Sequence, residues 1–449
     1  MKTTIDAPRT AAAARAAEDR TIDRLLLAAA WALPVLVLGL VLRLGVNVPF
    51  SDEWDFIPYV FHAQNGTLTL DELWRQHNEH RMFFASLMVL ALAKLGGWNL
   101  IREEVVSVLL CAAVQCVLWR LVRRTLPPAA TPIAFAAMAL ALWNTGQAEN
   151  FAMGLQMGWW LLLLCVVVVA WRLCAAPRRP RDIIIAGVAA TVASYCSELG
   201  LLAWAVGAVA IALSEGPRRA ALAGWFVWGV AAYALFRAGM AEVQVDHVPV
   251  LANAGVLVVY ALAYLGVPLA FWAGLAGCVT AGTALVIGFA ALAVADARDA
   301  RTDPTVLHRR AVWYALAAFA MLGAIGTGPS RLGLGLGGVV TSTRYILVGS
   351  WLTIAVIALA AMRFPVRIDW RTLRLTPAAA LIVVLTVATA FSWVRGYRDW
   401  QYFSMFRKAD LAALRSGNLA AVAPYYPTRS ILMTDIDELR RLHDGPLGP

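Results

Sequence analysis

The sequence predicts an all-α membrane protein of about eleven transmembrane helices, with juxtamembrane or re-entrant helices on its outer side. Three observations predict it. Of 449 residues, 61% are hydrophobic and only 15% are charged, against roughly 25% charged in a soluble domain, and the mean hydropathy is +0.68. The apolar residues come in long runs, among them Leu25–Leu42, Trp159–Ala170, Phe271–Ala295 and Ala378–Phe391; runs of about 18–20 residues cross a hydrocarbon core roughly 30 Å thick. Finally, arginines cluster in short loops between these runs, the signature of the cytoplasmic side.

Residues 1–23 are polar and Ala-rich, and the apolar run after them exceeds a signal-peptide core of about 7–15 residues. They read as a cytoplasmic tail, with Lys2, Arg9, Arg15, Arg20 and Arg24 holding the N-terminus inside. Spans are expected near 24–45, 104–121, 130–145, 158–174, 182–197, 199–213, 219–237, 271–295, 311–327, 345–362 and 377–394. Two further apolar stretches, Met82–Leu95 and Val256–Ala270, make the count ambiguous. Counting both as crossings moves Arg120/Arg123/Arg124, Arg172/Arg178/Arg179/Arg181 and Arg218/Arg219 to the outer side, against the positive-inside rule. Treating both as outer interfacial or re-entrant helices restores all three clusters. The short arms of 182–213 meet at Ser197-Glu198, an apex expected below the outer surface, where broken elements are tolerated beside a polar cavity.

The transmembrane region is thus 24–394, with an outer loop at 46–103 carrying juxtamembrane helices. An odd number of crossings leaves the C-terminal tail, 395–449, outside. Trp400, Phe403, Phe406, Leu411 and Leu414 recur there at roughly helical spacing, which predicts an amphipathic surface helix capping a cavity. Thr434 reads as the N-cap of a second helix over Asp435–His443. The net charge of +10 is scattered among the loops with no basic, aromatic-interleaved stripe, so nucleic acid is not an expected partner. Among the 18 tryptophans, Trp143, Trp159, Trp160 and Trp171 suit interfacial belts. The six cysteines, Cys111, Cys116, Cys165, Cys174, Cys196 and Cys278, lack metal-ligand spacing and read as small buried residues.

On this topology the unusual polar residues collect on the outer face. Asp52, Glu53 and Asp55 directly follow the first span, interrupted by Trp54. His77, Glu79, His80 and Arg81 precede the first re-entrant stretch. Gln147, Glu149, Asn150 and Gln156 follow the third span, Glu198 caps the short hairpin, and Arg331, Arg344 and Tyr345 flank the entry to the tenth. His77 and His80 would share a helix face if that segment were helical, but no clear metal-ligand set emerges, and no cofactor is expected. The glycine run from Gly326 to Gly338 has no preceding strand and fails the context of a dinucleotide loop; a loop over a cavity is expected instead.

Carboxylates at a membrane surface suit a general base acting on an acceptor hydroxyl, and arginine forks suit a phosphate leaving group. The chemistry implied is inverting sugar transfer from a lipid-linked phosphate donor. The arrangement resembles the GT-C superfamily of membrane glycosyltransferases, including the protein O-mannosyltransferases and the aminoarabinose transferase of lipid A. Asp52-Glu53 stands where that family has its acidic motif, and Asp71–Arg81 and Met82–Leu95 match its juxtamembrane helices. Gly96-Gly97-Trp98-Asn99, the span ending in Arg120–Arg124, and the polar stretch Gln147–Asn150 are similar as well. The resemblance implies one of Asp52, Glu53 and Asp55 as base, with Asp52, nearest the first span, leading. It also implies a polyprenyl-phosphate sugar donor, a glycan, lipid or protein acceptor, and residence in a bacterial inner membrane. The short tail departs from relatives that carry a folded C-terminal domain. A transporter or flippase of lipid-linked glycans, and a glycan polymerase or acyltransferase, are the alternatives, the first disfavoured by the absence of repeats and mid-bilayer ionisable groups.

Overall fold

Helix length and capping divide the chain into long apolar rods and short polar connectors. The computed structural model describes residues 7–241, 249–370, 372–418, 429–442 and 445–447. Of the described residues, 81% are helical. Among the described residues, eight helical stretches are long and apolar enough to cross a membrane: Arg20–Leu44, Leu100–Thr125, Gly154–Leu173, Arg218–Arg237, Ala254–Asp299, Thr305–Arg331, Thr343–Arg363 and Pro377–Ser416.

In order, helix α1 (Ala7–Leu44) leads into a loop holding α2 (Ile57–Gln64), α3 (Leu70–Trp74), a two-residue hairpin of β1 (Gln76–His77) and β2 (His80–Arg81), and α4 (Phe83–Gly96). Thr69 caps α3 by a reciprocal box with Glu72. There follow α5 (Leu100–Thr125), α6 (Thr131–Leu142), α7 (Ala148–Ala152), α8 (Met157–Leu173), α9 (Pro180–Ser194), α10 (Leu202–Leu213) and α11 (Arg218–Arg237). Asn99 starts α5 by accepting from the N–H groups of Ile101 and Arg102. Then come α12 (Ala254–Ala270), α13 (Gly274–Asp299), α14 (Thr305–Arg331), α15 (Gly337–Thr341), α16 (Ile346–Arg363), the hairpin of β3 (Ile368–Asp369) and β4 (Arg374–Leu375), α17 (Pro377–Ser416) and α18 (Arg429–Arg441).

The helices pack side by side between two polar ends. At the acidic end, Ser404 donates to Leu44 O at 2.6 Å, Asn144 to Pro268 O at 2.8 Å, and Thr145 to Trp393 O at 2.7 Å. At the arginine-rich end, Trp313 donates to Thr125 Oγ1 at 3.1 Å, Arg178 to Ser214 Oγ at 2.7 Å, and Arg310 and Arg363 both pair with Asp296. Helix α12 differs. Leu257 and Tyr260 lie beside Gly328 near the end of α14, and Pro268 meets Asn144, so both of its ends stay at the acidic side. It packs closely on α13: a Cβ at Gly266 would sit 1.8 Å from Cys278 O, and one at Gly282 1.8 Å from Leu262 O. Small residues are what let membrane helices approach so closely.

Several local expectations give way to packing. Helix α17 continues unbroken from the expected last span through Ser416, and Trp400, Arg407 and Leu414 on it are buried, so the tail has no separate surface helix at 400–414. Thr434 lies inside α18 rather than at its start, and His443 lies outside the described residues. Gly326 and Gly328 belong to α14, which runs on to Arg331, so the first part of the glycine run is helix instead of loop. Trp143 and Trp160 are core residues with no exposure, whereas Trp159 and Trp171 are half-buried. Cys111, Cys165, Cys196 and Cys278 are buried as expected, but Cys116 is exposed.

Candidate active site at the acidic end

The site is assembled from the loop after α1, the β1–β2 hairpin, and the ends of α7, α10, α14 and α16. The chain enters the acidic motif through Ser51, whose φ of +51° is a left-handed conformation unusual for a residue with a side chain. Ser51 Oγ donates to Asp52 Oδ1 at 3.2 Å. Ser51–Phe56 form two turns of 3₁₀ helix, which points neighbouring side chains in different directions. Asp52 stays partly exposed. Glu53 turns inward and is only 1% exposed.

That division separates the three candidate bases. Glu53 is committed to structure: its oxygens accept the N–H of Phe50 at 2.8 Å and of Gly154 at 2.6 Å, with Arg407 3.8 Å away. Burial raises its pKa above the ordinary carboxylate value, opposed by Arg407 and by these backbone donors. It does not face the open site, so its place as a candidate base is corrected to a buried tie between two loops. Asp55 is open, 45% exposed, with Oδ2 3.5 Å from His77 Nδ1. Asp52 acts electrostatically on Arg344 across the site.

Arg344 is held from several directions. Its Nη1 lies 3.4 Å from Glu149 Oε1, its N–H donates to Glu149 Oε2 at 3.3 Å, and its carbonyl accepts from Asn150 Nδ2 at 3.0 Å. Tyr345 beside it is buried and stacks on Tyr264 with ring centroids 4.9 Å apart. A second pair, Arg331 with Glu79, joins α14 to the hairpin. His77 and His80 are cross-strand partners rather than helix neighbours, with the turn made by Asn78 at φ +48°. His80 Nδ1 accepts the N–H of Glu198 at 3.3 Å, which leaves Nε2 toward Glu79 Oε1 at 3.8 Å. Burial, only partly offset by Glu79, pushes the His80 pKa down to about 4, with His77, Arg331 and Arg344 adding to the depression. The imidazole is therefore neutral near pH 7, a tautomer set by the Glu198 contact.

The structure thus brings Asp52, Asp55, His77, Glu79, His80, Glu149, Glu198, Arg331, Arg344 and Tyr345 to one end of the bundle. Four other candidates are framework. Arg81 is buried over the Trp74 ring and gives its guanidinium to the carbonyls of Phe236, Trp74 and Ala238, closing the C-terminus of α11. Gln147 donates to Leu142 O at 2.7 Å and accepts from Asn150, Asn150 positions Arg344, and Gln156 is 3% exposed. Ligand atoms of Glu79, His80 and Glu198 lie within 4.8 Å of one another, a nitrogen-and-oxygen donor set able to hold a divalent cation.

Sequence reasoning missed the cluster beneath the site. Glu103 and Glu104, at the start of α5, and Arg407 on α17 are all buried. Arg407 pairs with Glu104 Oε1 at 3.0 Å, approaches Glu53, and donates to the carbonyls of Val46, Val48 and Ala152. Glu103 accepts from Trp98 Nε1 at 2.9 Å. The available signal was an acidic pair opening an apolar span, which requires a buried cation from elsewhere in the chain. A scan against protein-family models finds no match to this chain, and a search of curated proteins finds none either.

Proposed function

We propose that the chain is a membrane glycosyltransferase that moves a sugar from a polyprenyl-phosphate donor to an acceptor hydroxyl at the acidic end of the bundle. The observation that carries this reading is the opposition of Asp52, partly exposed, to Arg344, which Glu149, Asn150 and Tyr345 hold in place. Asp52 takes the proton of the acceptor hydroxyl, and the oxygen attacks the anomeric carbon from the face opposite the phosphate. The sugar–phosphate C–O bond breaks, and the charge left on the phosphate meets Arg344 and Arg331. Charge-assisted, forked contacts stabilise a leaving phosphate more strongly than neutral donors do.

The same reading includes eleven crossings, an N-terminus inside and a tail outside, in a bacterial inner membrane. Supporting it are the eight helical stretches among the described residues that are long and apolar enough to cross a membrane, α12 with both ends at the acidic side, and the arginine clusters gathered at the other. The test is transfer by the purified protein in nanodiscs, followed as release of polyprenyl phosphate from a synthetic polyprenyl-phosphate hexose. Asp52→Asn is expected to lower turnover by about 10²–10⁴-fold, the usual reach of a general base, while donor binding persists. Near-normal turnover in Asp52→Asn removes Asp52 from the mechanism.

A further inference from the structure

At the opposite end of the bundle, α5, α8, α9, α10 and α14 leave a cavity of about 590 Å³ between their termini. Concavities of roughly this size hold small ligands. Its walls carry Arg124, Arg172, Arg179, Arg181 and Arg309 against two carboxylates, Asp182 and Glu215. Both carboxylates are already engaged. Asp182 accepts the N–H of Arg179 at 3.0 Å and lies 3.4 Å from Arg172, while Glu215 faces His308 at 3.4 Å.

The remaining positive charge is poorly compensated. Arg309 reaches Asp303 at 3.0 Å, but Arg124, Arg179 and Arg181 make no ion pair among the described residues. Trp171 at the cavity wall has three guanidiniums around its ring, Arg172 at 4.3 Å, Arg120 at 5.6 Å and Arg124 at 5.8 Å. The indole face attracts each of these cations, but they repel one another, and an anion held among them relieves that repulsion. Scattered arginines on a flat rim would serve as interface anchors; here they line a hollow, and their forked donors match phosphate oxygens.

We propose that this cavity binds a phosphate-bearing anion, through Arg124, Arg172, Arg179, Arg181 and Arg309. Two sources share that chemistry, the headgroup of an anionic phospholipid, for which basic pockets between membrane helices are suited, and a free phosphorylated compound. The site is distinct from the acidic end, so its test does not depend on transferase activity.

The experiment uses the full chain, in two arms. Protein extracted from nanodiscs of phosphatidylcholine and phosphatidylglycerol is scored by native mass spectrometry for retained phosphatidylglycerol. Protein in phosphatidylcholine alone is titrated calorimetrically with inorganic pyrophosphate. The variant Arg124→Gln/Arg181→Gln alters two exposed cavity residues, and Arg298→Gln/Arg301→Gln removes the same charge from exposed positions outside the cavity. A lipid site predicts phosphatidylglycerol retained by wild type and by the outside variant and lost from the cavity variant. A site for free phosphate predicts saturable pyrophosphate binding, weakened at least tenfold in the cavity variant alone. Should the glutamine variant not fold, Arg124→Lys/Arg181→Lys keeps the charge and is expected to weaken binding several-fold. Equal behaviour of the cavity and outside variants in both arms overturns the proposal and reduces the arginines to surface charge.

Discussion

Asp52 and Glu53 are adjacent in the chain and chemically alike, yet one faces the open site and the other is buried between Phe50 and Gly154. Glu53→Gln keeps most of the volume and one acceptor oxygen, so it is expected to retain transfer where Asp52→Asn loses it. The reverse pattern in the same nanodisc assay would exchange their roles. In the proposed mechanism Arg344 is the donor-side counterpart. Arg344→Ala should weaken binding of a polyprenyl-phosphate sugar more than Arg344→Lys, since Lys keeps the charge but not the fork. Unchanged donor affinity in both Arg344→Ala and Arg331→Ala would leave these residues as interface anchors. His80 supplies a pH prediction. With its pKa near 4 in the fold against 6.5 in the free side chain, the unfolded chain binds more protons between those values. The fold therefore keeps its full stability above about pH 6.5 and loses some as pH falls toward 4. His80→Gln should flatten the melting temperature across that interval while leaving the rest of the profile alone.

At the scale of elements, close helix contacts rest on residues without side chains. Gly396 of α17 presses against the turn after α6, where an added Cβ would lie 2.2 Å from Gly146 N. The Gly266–Gly282 crossing holds α12 against α13 in the same way. Backbone atoms cannot rotate aside as a side chain tip can, so Gly396→Val should separate the helices and cost at least the ~1–3 kcal/mol usual for overpacking. Gly39, with open space around it, is the control. Thermal denaturation in detergent should show a clear drop for Gly396→Val and little change for Gly39→Ala; equal shifts would mean that the contact carries no stability.

At the scale of the molecule, Arg407 connects α17 with the start of α5 and the loop after α1. Removing one partner of a buried ion pair typically costs about 3–5 kcal/mol. Arg407→Ala should therefore reduce the folded yield sharply, measured as monodisperse protein after extraction, and Arg407→Ala/Glu104→Gln should recover part of it. Wild-type yield in the single variant would make the cluster dispensable. The proposed topology is tested by labelling single cysteines in a cysteine-free background. Positions Arg178 and Arg218 should be shielded from an impermeant reagent in intact cells, while Arg395 should react. Outer labelling at Arg178 or Arg218 contradicts eleven crossings.

What the sequence by itself determined was the helical membrane class, the positions of the long helices, and the gathering of Asp52, Glu149, Arg331 and Arg344 at one end. Those follow from local quantities: apolar run length measures a hydrocarbon core, and loop charge sorts one end of each helix from the other. Only the tertiary structure decided which side chains stay open. It turned Glu53 inward, gave Arg81 to the end of α11, made His77 and His80 cross-strand partners, and placed Arg407 beside Glu104 although 303 positions separate them. The physical reason is that burial of a charge requires partners from distant segments, and the spacing of residues along one segment carries no record of which distant segment supplies them.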